Sequence, residues 1–304
     1  RSQNRWPSLA FDIGAINDAA APLIPAGFYY KTFMWPRAFW AHVYEPAIRA
    51  TAGLGRAPAS PDPDRYAQRY VHCDVLVVGG GPAGLAAAVA AAATGARVIL
   101  CDEQADFGGS LAADPSLAVE GKSATAWVAD HLATLAGHAN VTLLSRTTAF
   151  GYFAHNFVAL AERVTDHLAE PDPRLPRERL WQVRAREVVL ATGAIEKPVV
   201  FPGNDRPGIM LADAARTYLN RYGVRAGERA IVITSDDSAY RAALDMHAAG
   251  TAIVAVADLR ADPGGAAVEA ARAAGIPVRP ATTISGTIGR LRVIGADLVS
   301  LKEA

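Results

Sequence analysis

The chain has 304 residues, enough for about two domains, with 51% apolar and 20% charged residues. That composition supports sizeable cores and excludes disorder as a description of the whole chain. Thirty basic and thirty acidic residues cancel, with no basic block, so nucleic acid is not implied; no apolar run reaches membrane-spanning length.

Residues 1–50 hold ten of the 23 aromatic residues, from Trp6 to Tyr44, interrupted by Pro7, Pro22, Pro25, Pro36 and Pro46. Prolines at that spacing leave no long helical or strand period. The expectation is an extended segment with short helices at Ile13–Leu23 and Pro36–Ala52, packing its rings on the first domain. The alternative is that Gly27–Pro36 docks another subunit or a cofactor. Gly53–Asp64, rich in Gly, Pro and Ala, reads as a linker. A chain opening on Arg1, without a signal peptide, reads as a cytoplasmic fragment.

Val75–Val78 is a strand of apolar, mostly β-branched residues running into Gly79, Gly81 and Gly84, a G-x-G-x-x-G. An Ala-rich helix, Leu85–Thr94, is stopped by Gly95, and a second strand, Val98–Leu100, ends in Cys101-Asp102-Glu103. Strand, glycine turn, helix, strand and acid make a dinucleotide-binding βαβ unit. Gly79 allows the tight exit, Gly81 lets a pyrophosphate approach the backbone, and Gly84 lets the helix pack on the sheet. Pro82 falls where a helix loses no hydrogen bond to it, and the helix mouth offers free amides to phosphate. Asp102, 23 residues after Gly79, is placed to accept a ribose diol, with Glu103 as a second candidate.

Phe107–Pro115 is a loop that either reaches the cofactor or is a plain surface turn. Ser123–Ala136 has helical period, with Trp127, Val128, Leu132 and Leu135 on one side. Val141–Leu144 is a strand ending near where an adenine would lie. Gly151–Phe157 and Trp181–Arg184 read as meander strands. Glu187–Leu190 reads as a buried strand running into the small-residue turn Ala191-Thr192-Gly193-Ala194. Two such turns at strand ends are expected to meet at one crevice.

A second unit follows: strand Ala230–Thr234, helix Ser235–Ala249, Gly250 and strand Ile253–Ala257. Alignment on the first unit replaces Gly79 by Ser235, Gly81 by Asp237 and Gly84 by Tyr240. Asp236 and Asp237 would repel phosphate, and Tyr240 would block close helix packing. The expectation is a degenerate dinucleotide-type domain without a dinucleotide. Ala266–Ala274, Pro277–Pro280 and Thr283–Val299 supply a further helix and strands. The seven histidines have no metal spacing, Cys73 and Cys101 read as buried thiols, and no residue reads as catalytic or metal-ligating.

The blocks Asn4–Leu9, Gly27–Pro36, Tyr44-Glu45-Pro46, Gly53-Leu54-Gly55, His72–Val75, Asp102-Glu103-Gln104, Gly108-Gly109-Ser110 and Ala191–Ala194 together resemble the α subunit of heterotetrameric sarcosine oxidase, a family with relatives among opine oxidases and hydrogen cyanide synthase. The resemblance implies an α/β fold of two Rossmann-like, glutathione-reductase-type domains. Their expected extents are 71–205 for the first and 206–304 for the second, after an aromatic-rich N-terminal segment and linker, 1–70. It implies an αβγδ complex that demethylates sarcosine to glycine with peroxide production. FAD would lie on the β subunit, where sarcosine reacts, FMN between α and β, and NAD in the α subunit. A folate-binding domain, a return segment completing the first domain and an N-terminal ferredoxin-like portion would lie outside this chain. Carried onto this sequence, Gly79, Gly81, Pro82, Ala83 and Gly84 would hold the pyrophosphate of NAD, and Asp102 and Glu103 the ribose. Gln104 and Ser110 would lie nearby, Thr148 or Ala149 beside adenine, and Ala191, Thr192 and Gly193 across the crevice. The absence of Arg at 102 and 103 disfavours NADP. The alternative ligand of the same cradle is FAD, in a self-contained flavoprotein; a pure assembly module with an empty pocket is the third reading.

Overall fold

The computed structural model describes residues 6–8, 11–16, 22, 33–53, 58–114 and 116–301. Residues 17–21 and 23 of the predicted helix Ile13–Leu23, 27–32 of the aromatic run and 54–57 of the linker lie outside them. The chain forms two units, one of Arg1–Pro63 with Arg290–Arg292, the other of Asp64–Gly289 with Val293–Ala304.

In the first unit, Asp12 caps a short 3-10 turn, Ile13–Ala15, by accepting from the Gly14 amide. Residues 37–52 are helical throughout, as expected for Pro36–Ala52. The run starts as a 3-10 turn and a π-turn and settles into α1 (Glu45–Ala52), with Pro46 in its first turn and left-handed Gly53 at its end. Tyr44 lies beside Phe33 and Phe39, with ring centroids 5.1 and 6.1 Å away, and its hydroxyl donates to Trp35 O.

The second unit is built on a six-stranded sheet. Its elements in chain order are β1 (Tyr66–Val78), α2 (Pro82–Ala93), β2 (Val98–Cys101), a small hairpin of β3 (Ala118–Val119) and β4 (Lys122–Ser123), α3 (Ala124–Ala136), β5 (Val141–Leu144), β6 (Thr147–Phe153), β7 (Phe157–Arg163) and β8 (Glu178–Leu190). The sheet order is β5-β2-β1-β8-β7-β6, parallel from β5 to β8 and antiparallel through the meander β8-β7-β6. Helices α2 and α3 are the two crossovers, so they pack on one face. There Val77, Val98 and Leu100 meet Leu85, Ala88, Trp127 and Leu135. Strand alternation sends Leu76, Val78, Ile99 and Leu144 to the other face, which the meander closes with Val158, Leu160, Trp181 and Val183. The Ser123 hydroxyl caps α3 by accepting from the Ala126 amide.

Three sequence expectations change here. β1 begins at Tyr66, five residues ahead of position 71, because Tyr66–Tyr70 pair with Glu178–Gln182. The expected strand Gly151–Phe157 straddles a break: β6 ends at Phe153, His155 and Asn156 turn through left-handed backbone, and β7 starts at Phe157. Trp181–Arg184 and Glu187–Leu190 are one 13-residue strand, β8, whose end is not buried, since Leu190 is 62% exposed.

Beyond β8 come α4 (Ala212–Tyr222), β9 (Arg229–Thr234), α5 (Ser238–Ala248), β10 (Ala252–Asp258), α6 (Ala266–Ala273), β11 (Val278–Arg279) and an antiparallel hairpin of β12 (Thr282–Ile288) and β13 (Gly295–Ser300). β11, β10 and β9 form a parallel three-stranded sheet. Its core is Val232, Tyr240, Ala243, Met246, Val256 and Val268. The turn from β9 to α5 has three residues, as does the turn from β1 to α2. Arg216 of α4, 8% exposed, ties the sheets together: its guanidinium reaches Asp114 (2.8 Å) before α3 and Asp245 (2.6 Å) on α5. Asn220, one turn on, donates to Ala113 O and to Asp245.

Candidate functional site

The first βαβ turn is crowded everywhere except where a ligand would approach. Gly79 has φ +103°, and a side chain there would strike the Ala191 carbonyl at the end of β8. A Cβ on Gly84 would land on the Gly79 carbonyl oxygen, and one on Gly80 would meet the Phe107 ring. Gly81 differs: a Cβ there would find only Gly109 Cα, at 3.8 Å. Gly79 and Gly84 are therefore required by the fold, while Gly81 borders open space.

Helix α2 starts at Pro82, with Gly81 as its N-cap, and Leu85 N–H is the first to bond back, to Gly81 O (2.9 Å). The Ala83 and Gly84 amides lie ahead of that bond, at the positive end of the helix, as an anion cradle requires. Asp102 closes the turn. Its Oδ2 accepts from Gly80 N–H (2.6 Å) and its Oδ1 from Gln104 N–H (2.7 Å). Each oxygen keeps a lone pair, so a diol can still be held. Burial pushes the Cys101 thiol, in the strand below, up to about 12, with the Asp102 charge adding, and burial likewise raises Cys73 to about 11. Both are inert thiols at neutral pH.

Ala191 N–H donates to Val78 O (2.8 Å), so the turn after β8 meets the glycine turn as expected. Thr192 and Gly193 continue from it and are exposed. Ser110 lies, exposed, in the 3-10 turn Gly109–Ala113, whose first residue abuts Gly81. Glu103, Gln104 and Thr148 come together in a polar cleft of about 650 Å³, lined also by Ala105, Asp106, Arg146, Arg163, Arg221 and Tyr222. Ala149 is not part of it: strand alternation turns Ala149 toward the sheet core and leaves Thr148 facing out. Arg163, Arg221 and Tyr222 come from elements far along the chain, and no local motif marks them.

The second βαβ repeats the spacing at an offset of 156 residues, so Ser235 stands for Gly79, Tyr240 for Gly84 and Asp258 for Asp102. Asp258, fully buried at the end of β10, is the ribose-type acid that the expectation passed over; its 23-residue distance from Ser235 was the available signal. Its carboxylate accepts from the Arg260 guanidinium (3.0 Å to Oδ1 and 2.7 Å to Oδ2), from the Arg260 backbone N–H (2.9 Å) and from the Tyr240 hydroxyl (2.8 Å). Burial alone would raise the Asp258 pKa, but Arg260 and Tyr240 outweigh it and hold it low, while Tyr240 is pushed up by burial and by donating to Asp258. Arg260 also pairs with Asp237 (2.8 Å), and Asp236 is spent capping Ser238. The expectation that Tyr240 blocks helix packing is corrected: it is fully buried in the core of its unit, reaching to β10. The aspartates are engaged by Arg260 and Ser238 rather than standing free.

Among the described residues there is no cluster able to hold a metal and no helix long and apolar enough to cross a membrane. A parallel sheet with a phosphate-type cradle at its first strand, followed by a smaller parallel unit of the same design, defines a two-dinucleotide-domain oxidoreductase fold of the thioredoxin- and glutathione-reductase type. The thioredoxin reductase of T. acidophilum superposes with a TM-score of 0.52 at 17% identity, over 76% of this chain and 71% of that one. Residues 74–187 match the FAD dependent oxidoreductase family.

The chain is 52% identical over 264 residues to sarcosine oxidase subunit alpha of Rhizobium meliloti (strain 1021), covering 87% of this chain and 27% of that protein. It is 51% identical over 219 residues to the same subunit of Corynebacterium sp. (strain P-1), covering 72% of this chain and 22% of that protein. The resemblance to sarcosine oxidase subunit alpha, a subunit of an oxidoreductase, is borne out. The chain spans about a quarter of the length of these curated relatives.

Proposed function

We propose that this chain is the nucleotide-holding part of a sarcosine oxidase α subunit, without catalytic residues of its own, and that the group held is NAD. The single observation behind this reading is the Gly79–Gly84 turn, whose glycines leave room for a side chain only at Gly81, with Asp102 fastened across it. Gly81, Ala83 and Gly84 would hold the pyrophosphate, and Asp102 with Glu103 the adenosine ribose. Gln104 and Thr148 would border the adenosine, and Ala191, Thr192 and Gly193 the far side of the crevice. NAD bound there supplies a nicotinamide ring able to take a hydride. The residues named for it would bind and orient it. NAD is favoured over a flavin because an enzyme reducing its own flavin with a pyridine nucleotide needs two open cradles, and the second one here is filled by its own side chains.

By the resemblance, the rest of the assembly consists of β, γ and δ subunits. Sarcosine would react at FAD on the β subunit, with FMN between α and β, in the cytoplasm. The 71–205 portion would carry the nucleotide and 206–304 the closed copy. FAD in the Gly79–Gly84 cradle is the second reading, favoured by the FAD dependent oxidoreductase match over 74–187.

Denaturing the purified chain and identifying the released nucleotide by absorbance and mass tests both. NAD is expected. A released flavin overturns the NAD assignment, and an empty chain that neither added NAD nor added FAD stabilises thermally overturns both readings.

A further inference from the structure

The cleft beside the cradle is built by the six-stranded sheet with its loops and by helix α4. Glu103 and Gln104 follow β2, and Thr148 lies on β6. Arg221 and Tyr222 are the last two residues of α4, which packs on the second parallel unit. We propose that the C-terminal turn of α4 is the base platform of the nucleotide site: Tyr222 and Arg221 take the adenine ring whose ribose and phosphates lie against Asp102 and the Gly79–Gly84 turn. This rests on the proposed adenine-nucleotide reading and adds to it a role for the closed copy.

Four observations support it. First, the turn is held in place. Arg216 and Asn220, on the preceding turns of α4, are fixed to Asp114 and Ala113, at the end of the segment whose Gly109 touches Gly81. The position of Tyr222 is thereby referred to the phosphate cradle itself. Second, left-handed Gly223 stops the helix directly after Tyr222, with its amide bonded to Leu219 O.

Third, the aromatic is available. Tyr222 is 57% exposed, its ring steadied on one side by Tyr218 at 6.2 Å. The Arg221 guanidinium lies 5.7 Å from the Tyr222 ring, with its side chain only 16% exposed and Asp106 at 3.4 Å. Fourth, the opposite wall is fixed by backbone. Arg146, with φ +50°, donates its N–H to Gln104 O (2.8 Å), and Arg163 N–H donates to Arg146 O (3.0 Å). Guanidinium and phenol faces around one polar cleft suit a flat, electron-rich heterocycle.

The cradle and the platform can be read separately with two probes. Inorganic pyrophosphate has no base and reports anion binding alone; ADP adds the ribose acid and the platform. Binding of each is measured by calorimetry to the unaltered chain, Tyr222→Ala and Tyr222→Phe. For Tyr222→Ala, ADP affinity is expected to fall about tenfold, the size of one base–aromatic stack, with pyrophosphate binding unchanged. Tyr222→Phe is expected to restore ADP affinity, since it keeps the ring. Equal losses for both probes would make Tyr222 a structural residue and overturn the proposal, as would unchanged ADP binding in Tyr222→Ala. ADP failing to bind the unaltered chain would overturn the adenine-nucleotide reading itself, and this inference with it.

Discussion

The two βαβ units of the larger body share turn length, helix placement and acid position, yet one turn is vacant at Gly81 and the other is filled. In the first, Asp102 is held by two backbone amides and keeps spare lone pairs. In the second, Asp258 is held by the Arg260 guanidinium and the Tyr240 hydroxyl, donors that stand where a diol would be received. The comparison teaches that a nucleotide cradle can be closed from within without altering its backbone. A long side chain at the third glycine position and an arginine two residues beyond the acid satisfy the same groups a ligand would. The closed copy gains a core residue in Tyr240, and the open copy pays in glycines.

The strongest way to break the comparison is to empty the closed copy. Tyr240→Ala removes the largest fully buried side chain of its unit, and a loss of about 3–5 kcal/mol is expected in urea denaturation. Unchanged stability would show that Tyr240 is not the plug described.

Filling the open copy comes next. Gly84→Ala sets a methyl on the Gly79 carbonyl, which is backbone and cannot rotate away. A cost of about 1–3 kcal/mol is expected, with loss of the bound nucleotide. A variant that retains both would mean the turn has slack that its geometry does not show.

The smallest effect is electrostatic. Arg260 and Tyr240 hold the Asp258 pKa below its unfolded value of about 3.9. The charged form is therefore favoured by folding, so its contribution is present above that value and fades as pH falls through the folded pKa. Asp258→Asn should destabilise the chain by about 1–2 kcal/mol at neutral pH, and the gap to the unaltered chain should close below about pH 4. A pH-independent gap would assign the cost to shape rather than charge.

Much of this was legible in the residues. The first βαβ unit declares itself because a β-branched run, three glycines and an Ala-rich helix each have one physical use, and Trp127, Val128 and Leu135 fall inside as their period requires. The second unit was legible as a scaffold. Its plug was not, because Tyr240, Asp258 and Arg260 are separate local choices that meet only when α5 crosses β10. The break at His155 and Asn156 leaves no mark in the sequence, because the left-handed backbone there carries no glycine. The sequence shows β8 as two pieces because Arg184, Arg186 and Glu187, all exposed, interrupt the apolar pattern. The cleft was legible only in half: Glu103, Gln104 and Thr148 follow strand ends, whereas Arg163, Arg221 and Tyr222 arrive through tertiary folding.

The pairing of β1 with β8 bears on how the chain is made. Tyr66 meets Glu178 and Val78 meets Leu190, so the central strands of the sheet join residues 112 positions apart in the chain. Contacts of such high sequence separation slow folding, because the loop must close before the ladder forms. As the polypeptide emerges from the ribosome, one edge of β1 waits for β8, and both cradle turns at Gly79 and Ala191 are completed in that same late event.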